Sequence, residues 1–286
     1  MDGAREWVHR EARVNGVRLH RVEAGEGPPV VLLHGFPEFW WGWRKQLPAL
    51  AEAGFRAVAP DLRGYNFSEK PPGIASYRVE TLAADVAELI AALGVERAHL
   101  VGHDWGGVVA WYVAMLHPER VGRLVVMNAP HPAAFRRELR RGRQALRSWY
   151  AGAFQLPLLP EAAFRAGGYR LVDRVFRSAA GRRGVFAPEE LARYREAAAR
   201  PGALSAMLHY YRAAVRFPRP RTRPIPHETL LVWGERDPAL GVELTRGLEP
   251  WVPNLHVERI PEAGHWVQHE APDRINSLLA AFLRGG

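Results

Sequence analysis

The chain has no cysteine, which excludes a disulfide framework, a thiolate nucleophile and a zinc–thiolate site together. Lysine is almost missing as well. Lys45 and Lys70 are the only two, so arginine carries the net charge of +9. An arginine excess can mark a nucleic-acid surface. The basic positions read as scattered, however, apart from the run Arg136 to Arg147, which has the pattern of a solvated helix face with one apolar edge. A lysine-poor, arginine- and alanine-rich bias also fits a GC-rich genome, and nucleic acid is not expected as a partner. No apolar run approaches the ~20 residues that a membrane span needs, and the first sixteen residues carry no apolar segment of a secretory signal. The expectation is a cytoplasmic protein without a membrane partner, monomeric or homodimeric. The 27 glycines and 23 prolines form no low-complexity block, and 48% of the 286 residues are hydrophobic. That suits one large α/β domain with an insertion.

What is present is a regular alternation. Residues 7–14 and 17–23 flank Asn15-Gly16, a strong hairpin signal. From Pro29 onward come continuous apolar runs at 29–35, 56–61, 98–104 and 123–129, as expected of strands buried on both faces. Helical patterns at 43–53, 81–94 and 105–117 separate them. After Ala129 the alternation stops, and helices are predicted at 133–151, 160–166, 188–199 and 203–215. A proline-rich connector at 218–226 leads back to strands at 228–235 and 255–264 and a last helix at 273–284. The spacing predicts a mostly parallel, eight-stranded sheet with an antiparallel N-terminal hairpin and an inserted helical cap. The expected division is core 1–130, cap 131–226 and core 227–286.

Three motifs carry chemistry. Residues 102–107, GHDWGG, lie where an apolar strand gives way to a helix. In a G-x-nucleophile-x-G elbow, small glycines let strand and helix pack closely around a strained central residue. Here that residue is Asp104, at a helix N-terminus that favours an anion; the plainer reading makes it a helix N-cap. Asp237 follows the penultimate strand and His265 the last one, giving the nucleophile–acid–histidine order of triads built on such an elbow. Asn128 ends the strand between and cannot be the charged member. After the first parallel strand, His34-Gly35-Phe36-Pro37 nominates the Phe36 amide as an oxyanion donor, with the Trp105 amide as the second. His34 and His103 read as braces for their loops. No metal or cofactor is required.

Together HGFPEFWWGWRKQLPAL, APDLRGY, SEKP, GHDWGG and GHWVQHEAP, spread over residues 34–272, resemble the epoxide hydrolase branch of the α/β-hydrolase fold. That resemblance implies two cap tyrosines that donate hydrogen bonds to an epoxide oxygen. Tyr150, five positions before Gln155, matches the first. Tyr211, just before Arg212, matches the second. His209 and Tyr210 replace the usual Asn-Trp, and helical neighbours differ by about 100°, so Tyr210 is the alternative. Asn66-Phe67, where a glycine often follows the tyrosine, is expected to alter a loop and leave the chemistry intact. Phe36, Phe39, Trp40, Trp105 and Trp266 are expected to line an apolar pocket for a small apolar epoxide.

Haloalkane dehalogenases share the aspartate and the tryptophan after it. Their halide site needs a second N–H donor, which Phe36 lacks, and Trp149 is the only tryptophan in the cap. Fluoroacetate dehalogenases carry arginine at the place of Trp105. A serine esterase is excluded by Asp104, and a ligand receptor on a hydrolase scaffold is the reading from outside enzymology.

Overall fold

The computed structural model describes residues 7–285. The first six residues, part of the segment without a signal pattern, lie outside them. Strands β1 (Val8–Val14) and β2 (Val17–Ala24) form the hairpin, with Asn15 and Gly16 both at positive φ in the turn. After β3 (Pro29–Leu33) come α1 (Gln46–Glu52), β4 (Arg56–Pro60), α2 (Val79–Ala92) and β5 (Ala98–His103). Helix α3 (Trp105–Leu116) and β6 (Val121–Met127) close the first half of the core. The sheet has eight strands in the order β1-β2-β4-β3-β5-β6, then β7 (Thr229–Gly234) and β8 (Leu255–Ile260). From β4 onward the pairings are parallel. Val30 to Leu33, Leu100, Val101 and Leu124 to Met127 are fully buried, which is why these strands read as unbroken apolar runs. The loops that follow β3, β5, β6, β7 and β8 all leave the same edge, where open α/β sheets place their ligand crevice.

Between β6 and β7 lie α4 (Pro132–Arg140), α5 (Arg143–Arg147), α6 (Trp149–Ala153), α7 (Leu159–Arg165), α8 (Arg170–Ala179), α9 (Pro188–Ala199) and α10 (Ala203–Arg216). The single helix predicted over 133–151 is three short ones. Gly142, at φ 88°, stops α4, as glycine does past a helix end. Helix α8 is absent from the sequence expectation although Leu171, Val172, Val175, Phe176 and Ala179 recur at helical spacing between Arg170, Arg174 and Arg177 and pack on the core. A single-turn helix, α11 (Val267–Glu270), and the longer α12 (Pro272–Arg284) follow β8.

Defined polar contacts fasten these helices to the core. Tyr210 donates its hydroxyl to the Arg63 carbonyl at 2.7 Å, and Arg200 reaches Asn66 Oδ1 at 2.8 Å while stacking over Phe67. Asn66, the expected loop departure, thus holds α9's end to the core. The Trp266 indole donates to the Phe176 carbonyl at 3.0 Å and stacks on its ring.

His131 sits where β6 leads into α4. Its Nδ1 accepts from the Ala133 amide, and its buried Nε2 has no partner. Burial first, and Arg136 second, push its pKa down to about 3. The unfolded chain therefore binds a proton near the ordinary value of 6.5 that the folded chain refuses. The contribution to stability is full above that value and is lost as pH falls, by up to about 1.4 kcal/mol per pH unit. His131→Asn keeps an acceptor for the Ala133 amide and should flatten the acid-side fall of Tm. Parallel Tm–pH curves for the two proteins would sink this account.

Candidate active site

Asp104 stands at φ 49° and ψ −121°, a conformation that costs a non-glycine residue roughly 1–3 kcal/mol. The surrounding glycines make it possible. A Cβ on Gly106 would lie 2.1 Å from the Leu33 carbonyl oxygen, and one on Gly35 would lie 2.4 Å from the Asp104 Cβ. Asp104 occupies the N-cap position of α3, yet its side chain makes no capping hydrogen bond. Its Oδ1 instead accepts the Phe36 amide at 2.7 Å. The capping reading thus fails on geometry. Oδ2 is left facing His265.

His265 Nε2 is 3.6 Å from Asp104 Oδ2, an ion-pair distance, while Nδ1 is hydrogen-bonded to Asp237 Oδ2 at 2.7 Å. Burial disfavours the charged imidazole, but Asp237 and then Asp104 outweigh it and push the pKa up to about 10. The Asp237 carboxylate is completed by Asn128 Nδ2 at 2.8 Å and by the amides of Ala239 and Leu240. Burial alone would raise its pKa; the His265 charge and these hydrogen bonds hold it below the usual carboxylate range. Asn128 thus serves as a donor to the acid. The His265 backbone is pinned at both ends, its amide to the Ala179 carbonyl of α8 and its own carbonyl to His103 Nε2 at 2.9 Å.

Above Asp104 opens a cavity of about 440 Å³ whose lining includes Asp104, Trp105, Tyr150 and Tyr211. The rings of Tyr150 and Tyr211 are 5.9 Å apart, and Trp105 meets Tyr211 edge-on at 5.0 Å. Burial, and next the nearby Asp104 charge, raise both phenols, so both stay protonated hydrogen-bond donors. The adjacent tyrosines both line the cavity but differ in their partners. Tyr210 directs its hydroxyl to Arg63, and Tyr211 sits among Trp105, Phe36 and Phe154. The cavity runs on from Asp104 past Val108 and Tyr112, one and two turns along α3. Neither was singled out from sequence, although both follow from the helical period once Asp104 is placed.

The expected pocket needs correction. Of the five aromatic residues, Trp105 lines this cavity. Phe39 packs edge-on against Tyr194, and Trp40 against Trp7, Trp41 and Phe39. Trp266 is fully buried under α8. Phe36 offers its amide to Asp104 and its ring to Tyr211, Phe154 and Phe164, outside the cavity lining. Phe39 and Trp40 follow motif residues in sequence, but the turn at 40–43 directs them into the core.

Glu38 was also missed. Fully buried, it accepts from His103 Nδ1 at 3.0 Å, His269 Nε2 at 2.7 Å and Gln268 at 3.2 Å. Burial would raise its carboxyl, but the two histidines hold it far below the usual range. Through His103 it braces the His265 carbonyl. His34 is a brace too, its Nε2 accepting the Leu62 amide at 3.0 Å.

Residues 28–272 match the alpha/beta hydrolase fold family. The chain is 42% identical over 276 residues to the AB hydrolase superfamily protein YfhM of Bacillus subtilis, covering 94% of this chain and 96% of that protein. It is 38% identical over 278 residues to epoxide hydrolase 4 of Mus musculus, covering 94% of this chain and 77% of the mouse protein. A crystal structure of a variant epoxide hydrolase from Bacillus megaterium superimposes with a TM-score of 0.86 at 36% identity, covering 96% and 100% of the two chains.

Proposed function

The chain belongs to the alpha/beta hydrolase fold family, and from that premise we propose that it is an epoxide hydrolase acting through a covalent ester on Asp104. The observation that carries the mechanism is one carboxylate with its two oxygens differently engaged. Oδ1 accepts the Phe36 amide while Oδ2 faces His265, and Asp104 lines the cavity. Oδ2 attacks an epoxide carbon in line with the C–O bond, and the departing oxygen takes a hydrogen bond and then a proton from Tyr150 or Tyr211. The product is a hydroxyalkyl ester. A carboxylate does this without prior deprotonation, which a serine hydroxyl would need.

Ester formation also changes His265. At rest it lies between two carboxylates that hold its proton. Once Asp104 is a neutral ester one of those charges is gone, so the imidazole releases its proton, which balances the one gained by the alkoxide. Neutral His265, oriented by Asp237, then takes a proton from water, and the hydroxide attacks the Asp104 carbonyl. The Phe36 and Trp105 amides hold the oxyanion on Oδ1. On collapse the departing alkoxide takes the proton of the added hydroxyl, which returns Asp104 as the anion and His265 as the cation and releases a vicinal diol. The dehalogenase alternative lacks its second N–H donor at Phe36, and Trp149 is 71% exposed.

The cavity's mostly apolar lining favours alkyl or aryl epoxides. The test is a single turnover of an aryl epoxide in ¹⁸O-water. The first diol should carry an unlabelled oxygen from Asp104, with the label retained in the enzyme. Label appearing directly in that diol would mean water attacks the epoxide without an ester.

A further inference from the structure

The positive charge that looks scattered along the sequence is concentrated in the helical insertion. Residues 131–226 hold 20 arginines, no lysine and six acidic residues, a charge of +14, while the rest of the chain has 19 basic and 24 acidic residues, a charge of −5. The acidic groups there are largely taken up at home: Glu161 pairs with Arg212, Asp173 with Arg195 and Glu138 with Arg137 and Arg141. Arg140, Arg143 and Arg165 are exposed, with no acidic partner among the described residues.

The same segment carries the exposed apolar surface. Nine large apolar side chains are exposed among the described residues, and six belong to it: Leu146, Trp149, Leu156, Leu158, Leu159 and Val215. The elements that carry them are linked to one another. Leu146 and Trp149 lie on the successive helices α5 and α6. The loop before α7 is tied to the end of α10 by Arg212 on the Leu156 carbonyl and Arg216 on the Gln155 carbonyl. Trp149, Gly152 and Val215 also line the cavity, which therefore opens within this patch. Monomeric proteins seldom expose such a patch without a partner for it.

We propose that this face docks on an anionic lipid surface, with the leucines and Trp149 entering the headgroup boundary and the arginines on the lipid phosphates. Apolar side chains, an interfacial tryptophan and a one-sided basic field are what such a surface selects. A second copy meeting this face would bring together two segments that each carry a formal +14, and a nucleic acid would use the arginines but leave the leucines without a role. This revises the expectation of no membrane partner, which rested on the absence of a spanning segment; no helix of the described residues is long and apolar enough to cross a membrane. Docking would place the cavity mouth where apolar epoxides partition. That consequence rests on the epoxide reading, whereas the docking itself does not.

The full chain would be floated with vesicles of phosphatidylcholine alone and of phosphatidylcholine with phosphatidylglycerol in about equal parts. Binding to the second kind only, weakened about tenfold or more by high salt, is expected. Leu158→Asn with Leu159→Ser should remove it while leaving charge unchanged. Leu158 stands at φ 63°, which asparagine tolerates, and both leucines are exposed, so the fold checked by circular dichroism should persist. Arg140→Gln with Arg143→Gln is the independent charge arm. No flotation with anionic vesicles, or flotation indifferent to the leucine pair, would overturn the proposal. So would a concentration-dependent dimer abolished by the leucine pair in sedimentation velocity. Flotation failing while epoxides are still turned over would remove only the docking surface.

Discussion

His265→Gln should leave an enzyme that reacts once and stops. Alkylation needs the Asp104 anion and the phenols, none of which the substitution touches, so the variant should gain the mass of one whole epoxide, mapping to Asp104. Steady turnover should fall by about 10³-fold or more, because the water no longer meets a base. Glutamine can still donate to Asp237, whose carboxylate also keeps Asn128 and two amides, so the buried acid is not left unpartnered. Exposed in parallel to haloalkanes, the same variant separates the rival chemistry, since gain of an alkyl group with halide release would move the protein to the dehalogenases. No adduct from either class, with no turnover by the unmodified protein, would leave the scaffold as a receptor.

Much of this site is legible in the sequence because each motif encodes backbone. The elbow at 102–107 needs glycines where the chain passes within contact of the Leu33 carbonyl, and no other residue fits there. Asp237 follows β7, buried along its whole length, and His265 follows β8, which pairs in parallel with it, so both emerge from the same edge of the sheet. The apolar strand runs were legible because of such burial.

Side-chain direction was not legible. Phe39 and Trp40 adjoin the oxyanion loop in sequence, yet a short turn aims them away from it. Glu38 looks like a surface residue of the same motif until His103, Gln268 and His269, remote in sequence, converge on it. Helix α8 is a different case, since Leu171, Val172, Val175, Phe176 and Ala179 do keep a helical period between its arginines. The charge of the cap was hidden because its arginines are spread over six helices and the loops between them, so that no single stretch shows their sum. Local spacing reports which backbone conformation a segment needs. It does not report which partners arrive from elsewhere.

The tyrosine pair offers the test that depends most on the structure. Tyr150 lies on α6 and Tyr211 on α10, and their rings are 5.9 Å apart in the cavity above Asp104. If both donate to the leaving oxygen, Tyr150→Phe and Tyr211→Phe should each slow alkylation by about 10²–10³-fold, the size found for one oxyanion donor. The double variant should fall short of the product of the two, since either phenol partly covers for the other. Made in the His265→Gln background and read as adduct mass against time, the effect isolates the first half-reaction. Hydrolysis of an ester already formed should be little changed by the same substitutions, because its oxyanion lies at Phe36 and Trp105. The raised phenol pKa values give a second expectation: alkylation should not decline as pH passes 10.0, the ordinary value for tyrosine. Tyr210→Phe, by contrast, removes the hydrogen bond to the Arg63 carbonyl and should lower Tm while sparing the alkylation rate. Equal rates for the double variant and its parent would remove the tyrosines from the chemistry, and a slowed Tyr210→Phe would exchange the roles of the two neighbours.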